Sequence, residues 1–191
     1  MSFRFTRLEI PDVILIEADT YRDHRGLFRE TFKRSAFAEG GIDREFPQAN
    51  FSRSSRDVVR GLHFQREPAA VAKLVGVAQG RIFDVAADVR PGSPTFGRWV
   101  SAELSDEDGS MLYVPEGFAH GFWALADDTL VTYLMTGEYS QEHDAGVRWN
   151  DPDLAVAWPG TDPVLSPKDQ ELPYLKDAAQ ASVGAAEEAR A

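Results

Sequence analysis

Short runs rich in Val, Ile, Leu, Phe and Thr, each ended by Gly, Pro, Asn or Asp, recur along nearly the whole chain. No other feature restricts the fold as much. A strand buries side chains on a period of two, and a turn after every few residues folds it back on its neighbour. The pattern predicts strands at residues 13–17, 26–32, 58–65, 72–78, 81–89, 98–104, 111–114, 120–125 and 129–136. Turns fall at Gln79-Gly80, Pro91-Gly92-Ser93-Pro94, residues 106–109 and Ala126-Asp127-Asp128. Short strands at this spacing read as an antiparallel sandwich or barrel. Helical periodicity is weak except at 33–38 and after Tyr174. Residues 1–175 read as a single domain, and 176–191 as an Ala/Glu-rich tail, either a frayed helix or disordered.

Alternation assigns faces. In the run ending at Gln65, Val59, Gly61, His63 and Gln65 point one way, and Arg60, Leu62 and Phe64 the other. Lys73, Val75 and Val77 share a face, as do Val131, Tyr133 and Met135. Phe83, Val85, Ala87 and Val89 oppose Ile82, Asp84, Ala86 and Asp88. If the sheet closes, the period allows His63, Lys73 and Tyr133 to meet inside it.

Charge and composition narrow the partners. A net charge of −11 argues against nucleic acid or an anionic membrane surface, though a local cluster of Arg and Lys can still hold a phosphorylated small ligand. There is no cysteine, so disulfides and thiolate zinc sites are excluded. Residues 1–11 contain Arg4, Arg7 and Glu9 without a long apolar run, unlike a signal peptide. No segment has the length needed to span a bilayer, and a cytoplasmic protein is expected.

Ionisable groups inside apolar strand sequence are the candidates for chemistry, because each must be desolvated and satisfied there. His63 reads as a structural imidazole or as a general base, with Gly61 leaving room for a ligand. Lys73 reads as edge-strand protection or as a buried cation. Tyr133 reads as core or as a proton donor, and His120, between Gly117 and Gly121, as a site residue or the end of a turn. His24, His63, His120 and His143 form no HxH pair, so acid/base work is expected rather than metal catalysis. Arg25, Arg60, Lys73 and Lys168 suit an anionic ligand or a plain charged surface. Neither a Walker A loop nor a strand-borne GxGxxG is present.

Taken in order, further motifs carry a resemblance. They are Asp23-His24-Arg25-Gly26 with Glu30, Gln48-Ala49-Asn50, Arg60-Gly61-Leu62-His63, Lys73-Leu74-Val75, Phe83-Asp84-Val85, and the run from Gly92 to Gly97. Then come the run from Pro115 to Phe122, Tyr133, Tyr139, Trp149-Asn150-Asp151-Pro152 and Leu165-Ser166-Pro167-Lys168-Asp169. From about Asp12 to Pro173 the chain resembles the dTDP-4-dehydrorhamnose 3,5-epimerase family. That resemblance implies an all-β, cupin-type antiparallel jelly-roll barrel with a few short peripheral helices. It also implies a homodimer in which residues 1–16 contribute to the interface, and metal-free, cofactor-free catalysis.

The implied substrate is a dTDP sugar whose C4 ketone acidifies the hydrogens at C3 and C5. By resemblance, His63 is the base, Asp169 orients it, Lys73 stabilises the enolate, and Tyr133 returns a proton on the opposite face. Arg25, Glu30, Gln48, Asn50, Arg60, His120 and Lys168 match substrate contacts, and Tyr139 matches a position that stacks on thymine. Asp144 stands where the family carries Glu, a shorter acid at a substrate contact. Residues 69–72, Ala-Ala-Val-Ala, lack the family's Gln. Alternatives within the resemblance are a 3- or 5-monoepimerase of an antibiotic-sugar pathway and a non-catalytic sugar-nucleotide binder.

Overall fold

Most of the expected runs become strands because each can place one row of side chains between two sheets. The computed structural model describes residues 2–178. In chain order the elements are β1 (Phe3–Arg7), β2 (Ile14–Ala18), β3 (Thr20–Asp23), β4 (Gly26–Arg29), α1 (Arg34–Glu39), β5 (Gln48–Ser54), β6 (Val59–Gln65) and β7 (Lys73–Gln79). There follow β8 (Arg81–Asp88), β9 (Trp99–Ser105), β10 (Ser110–Val114), β11 (Phe118–Ala124), β12 (Thr129–Met135), β13 (Asp144–Gly146) and α2 (Pro167–Gln170). A six-stranded sheet runs β1-β2-β10-β7-β12-β5 and a five-stranded sheet β13-β6-β11-β8-β9, while β3 and β4 form a separate hairpin. Their ladders are antiparallel. The result is the expected all-β jelly roll.

Three clusters of buried residues hold the layers. Between the sheets lie Val75, Val77, Ile82, Ala86, Leu104, Leu112, Phe118, Phe122 and Val131. The outer face of the five-stranded sheet packs Leu62, Val85 and Ala87 under Val147, Leu154 and Leu175 of the C-terminal segment. Behind the six-stranded sheet, Ile14, Ile16, Leu74 and Met111 pack against Phe37 of α1 and Ile42. Both faces of each sheet are therefore partly covered, as the near-continuous burial of β8, β10 and β11 shows. Complete burial of a side chain such as Phe122 contributes about 1.5–3 kcal/mol.

Four strands lie outside the expected runs: β1, β3, β5 and β13. Strand β5, QANFSRS, has one large apolar residue and sits at a sheet edge, with only Ser54 buried. Its inward face carries Asn50 and Ser52, so apolar alternation cannot reveal it. Strand β13 has only three residues and forms by pairing with β6. The strand expected at 26–32 stops at Arg29 and pairs with β3, outside both main sheets. The helix expected at 33–38 forms as α1, one residue later. Residues 175–178 are helical, and the rest of the expected tail, 179–191, lies outside the described residues. Among the described residues no helix is long and apolar enough to cross a membrane.

Candidate active site

Where the apolar filling ends, a cavity of ≈ 470 Å³ opens between the sheets, a volume suited to a small organic ligand. The five-stranded sheet contributes Arg60, His63, His120 and Phe122, and the six-stranded sheet Asn50, Ser52, Lys73, Tyr133 and Met135. Leu165, Ser166, Lys168 and Asp169, around α2, close one side.

His63 Nε2 lies 2.6 Å from Asp169 Oδ1. Asp169 is buried, and Ser166 caps α2 by accepting the Asp169 N–H at 3.1 Å, which fixes the acid against the strand. Burial opposes ionisation of Asp169, but the hydrogen bond from His63 and the charge of a protonated His63 hold its pKa below the usual carboxylate range. An ionised Asp169 can only accept, so Nε2 carries a proton, and in the neutral ring Nδ1 presents a lone pair. The ring is partly open to the cavity, its side chain 31 % exposed.

Lys73 sits in β7, a central strand between β10 and β12, so the edge-strand explanation does not hold for it. Its Nζ donates to the His63 carbonyl at 2.9 Å. Burial lowers its pKa to about 8, and the carboxylates of Asp84 and Asp144 partly counter that fall. Tyr133 shares a 3.0 Å hydrogen bond with Ser52 Oγ, and burial pushes its pKa up, so the phenol stays protonated. His120 pairs with His63 across the β6–β11 ladder and packs edge-on to the Tyr133 ring, at 6.2 Å. It lies within a strand rather than at a turn. Its Nε2 meets Asp84 Oδ1 at 2.8 Å, with both side chains buried. Burial lowers the His120 pKa despite Asp84, which favours the neutral ring.

Two expectations about β6 are corrected. Strict alternation puts Arg60 opposite His63, yet both line the cavity. The β6–β11 ladder shifts register between the pairs His120–His63 and Phe122–Arg60, and that irregularity turns Arg60 inward. Gly61 does not make room for a ligand either. Its φ is +131°, and a Cβ there would lie 2.5 Å from Gly121 Cα, so the missing side chain admits the neighbouring backbone.

An imidazole, an ammonium and a phenol thus converge from two sheets, and comparison with known proteins gives their context. A family model for dTDP-4-dehydrorhamnose 3,5-epimerase matches residues 7–177. The chain belongs to the dTDP-4-dehydrorhamnose 3,5-epimerase family. It is 50% identical over 173 residues to the Sinorhizobium fredii dTDP-4-dehydrorhamnose 3,5-epimerase, covering 90% of this chain and 89% of that protein. The Legionella pneumophila RmlC, solved in complex with dTDP-4-keto-L-rhamnose, superposes with a TM-score of 0.87 at 41% identity, covering 91% and 93% of the two chains. A 4-keto-6-deoxy sugar epimerase from the novobiocin biosynthetic gene cluster of Streptomyces spheroides gives a TM-score of 0.90 at 40% identity, covering 95% and 92%.

Of the thirteen site residues expected from the resemblance to this epimerase family, the cavity gathers His63, Lys73, Tyr133, Asp169, Asn50, Arg60, His120 and Lys168. The others stand apart from its walls. Arg25 lies on the exposed β3–β4 hairpin, paired with Asp23, and Glu30 follows β4. Gln48, Tyr139 and Asp144 form a connected rim. The Tyr139 N–H donates to Gln48 Oε1 at 2.9 Å, Tyr139 OH donates to Asp144 Oδ2 at 3.0 Å, and Lys168 pairs with that same carboxylate. Asp144 therefore reaches the rim despite its shorter side chain. Asp84 was missed as a site residue. Its signal was in the sequence, an acid on the inward face of β8 beside Ile82 and Ala86. His24 and His143 stay outside the cavity, and His143 Nδ1 pairs with Ser140 Oγ at 2.7 Å. Among the described residues no three His, Asp or Glu side chains cluster to hold a metal ion.

Proposed function

We propose that this protein epimerises C3 and C5 of dTDP-4-dehydro-6-deoxy-D-glucose to give dTDP-4-dehydro-L-rhamnose by acid/base proton transfer. The observation that carries this reading is that the His63–Asp169 pair and Tyr133 face one cavity from different sheets, with Lys73 beside them. A sugar ring held between the sheets offers one face to the base and the other to the phenol.

In this mechanism Nδ1 of His63 takes the C3 hydrogen as a proton, and the electron pair moves onto the C4 carbonyl oxygen. The Lys73 ammonium stabilises that enolate oxygen, and a fixed charge is effective when it is as buried as this one. Asp169 stabilises the imidazolium. Tyr133 OH then gives its proton to C3 from the opposite face, inverting the centre. Proton exchange with water returns His63 and Tyr133 to their starting states, and the same sequence at C5 completes the reaction. Arg60 and Lys168 suit the diphosphate, and Tyr139 the thymine ring. His120, neutral and buried, is suited to hydrogen-bond the sugar.

The reading includes a homodimer. Tyr21, Leu27, Phe28 and Phe51 are large apolar side chains left exposed on the β3–β4 hairpin and β5. Arg25 and Glu30, on or beside that hairpin, are away from their own cavity, which fits a hairpin that completes the partner's site. Residues 1–16, with edge strand β1, belong to the same proposed interface. The cytoplasm is the proposed location, since a nucleoside diphosphate is too charged to cross a bilayer unaided.

Reaction in deuterated water tests the assignment. Deuterium at both C3 and C5 is the expected result. Exchange at one centre would identify a monoepimerase, and exchange at neither a binding protein. Loss of activity with chelator, restored by a divalent ion, would overturn the metal-free mechanism.

A further inference from the structure

Gln65 is buried, 7% exposed, two residues beyond His63 on β6. It does not line the cavity. Its Nε2 donates to the Ala69 carbonyl at 2.6 Å and the Glu138 carbonyl at 3.3 Å, while its Oε1 accepts the Ser140 N–H at 2.7 Å. Glu138 and Ser140 flank Tyr139. One side-chain amide therefore holds the peptide groups on both sides of the residue whose ring projects at the rim. Tyr139 is 60% exposed, so packing does little to place it. Its position is set by the backbone that Gln65 grips, by Gln48, which accepts the Tyr139 N–H and donates to Asn50 Oδ1 at 3.2 Å, and at the ring's far end by Asp144, which accepts from the hydroxyl.

We infer that Gln65 is a positioning residue for nucleotide binding. It fixes Tyr139 for stacking on the base and ties that segment to the strand that carries His63. The inference rests on the reading of Tyr139 as the base-stacking residue. An amide suits this task because it donates and accepts at once. Ordering the segment before the ligand arrives lowers the entropy lost on binding. Gln65 acts on Tyr139, not on the reacting atoms, so its loss weakens binding and leaves proton transfer intact.

A double-mutant cycle with dTDP as the probe tests this, read by calorimetry, with kcat measured at saturating substrate. Tyr139→Ala should weaken dTDP binding about tenfold, within the usual range for base–aromatic stacking. Gln65→Met, close in shape but lacking the amide, should weaken it by about fivefold, the scale of one or two hydrogen bonds. In the Tyr139→Ala background, Gln65→Met should cause little further loss, because its effect passes through the ring. KM should rise with dTDP Kd while kcat holds within about twofold, a split set by loss of uniform binding. Should Gln65→Met fail to fold, Gln65→Asn keeps the polar group but is one methylene too short to reach, and the same losses are expected. Unchanged affinity in the Gln65 variants, additive losses in the cycle, or a fall in kcat as large as the rise in Kd would each overturn the inference. If Tyr139→Ala binds dTDP normally, the stacking assignment itself fails, a result separate from failure at Gln65.

Discussion

The proposed mechanism gives His63, Tyr133 and Lys73 different roles, and those roles are separable. His63→Ala should abolish solvent exchange and epimerisation together, with a loss of at least ~10²-fold, since a positioned base starts the reaction. Tyr133→Phe keeps the ring's packing and removes only the proton donor. Deuterium wash-in with retained configuration should therefore outlast net epimerisation in that variant, as followed by proton NMR. Equal loss of both would remove Tyr133 from the role of terminal acid. In that mechanism Lys73 should make the rate sensitive to alkali. Burial disfavours its charged form, so the ammonium persists below pH about 8 and is lost above it, well short of the ordinary lysine value of 10.5. A kcat profile should fall as pH rises through that value. Asp84→Asn, which removes a charge that supports the ammonium, should move the fall to lower pH. A flat profile up to pH 10 would show that Lys73 does not carry the enolate charge.

Among the elements, the β6–β11 contact matters most to the site, because it holds the strand of His63 against that of His120. The two backbones meet at Gly61 and Gly121. A Cβ on Gly61 would meet Gly121 Cα at 2.5 Å, and one on Gly121 would meet the Arg60 carbonyl at 2.8 Å. Backbone on both sides leaves no flexible side chain to move aside. Gly61→Ala should therefore destabilise the protein by about 2–3 kcal/mol, from steric overlap and the positive φ together. Urea denaturation followed by tryptophan fluorescence measures it, and a loss under about 0.5 kcal/mol would show that the strands separate easily there. The same variant should lose activity, since the register shift that turns Arg60 inward lies in this ladder.

On the scale of the whole molecule, the exposed apolar side chains and the outlying Arg25 and Glu30 argue for two copies acting together. Light scattering at micromolar concentration should give twice the chain mass. A mass near 21.2 kDa would refute the homodimer. Phe28→Asp, placing a charge on the exposed hairpin, should shift the protein toward monomer. If the hairpin serves the partner's cavity, KM should rise with dissociation.

Sequence alone determined most of the strands, because turn residues and a period of two are local properties. The face that unites Lys73, Val75 and Val77, and the one that unites Val131, Tyr133 and Met135, followed from that period. The same period put Asp84 on one face with Ile82 and Ala86, and only the structure showed that this face is the inner one. Family motifs supplied the candidate residues that periodicity could not choose. Tertiary structure decided what depends on pairing. Strand β5 is too polar to announce itself and forms against β12, while β13 forms against β6. A register shift, invisible along one strand, set Arg60 beside His63. The 2.6 Å contact between His63 and Asp169 joins residues 106 positions apart. Local pattern cannot fix such a distance, because it arises only when α2 docks on β6 and both lose water together.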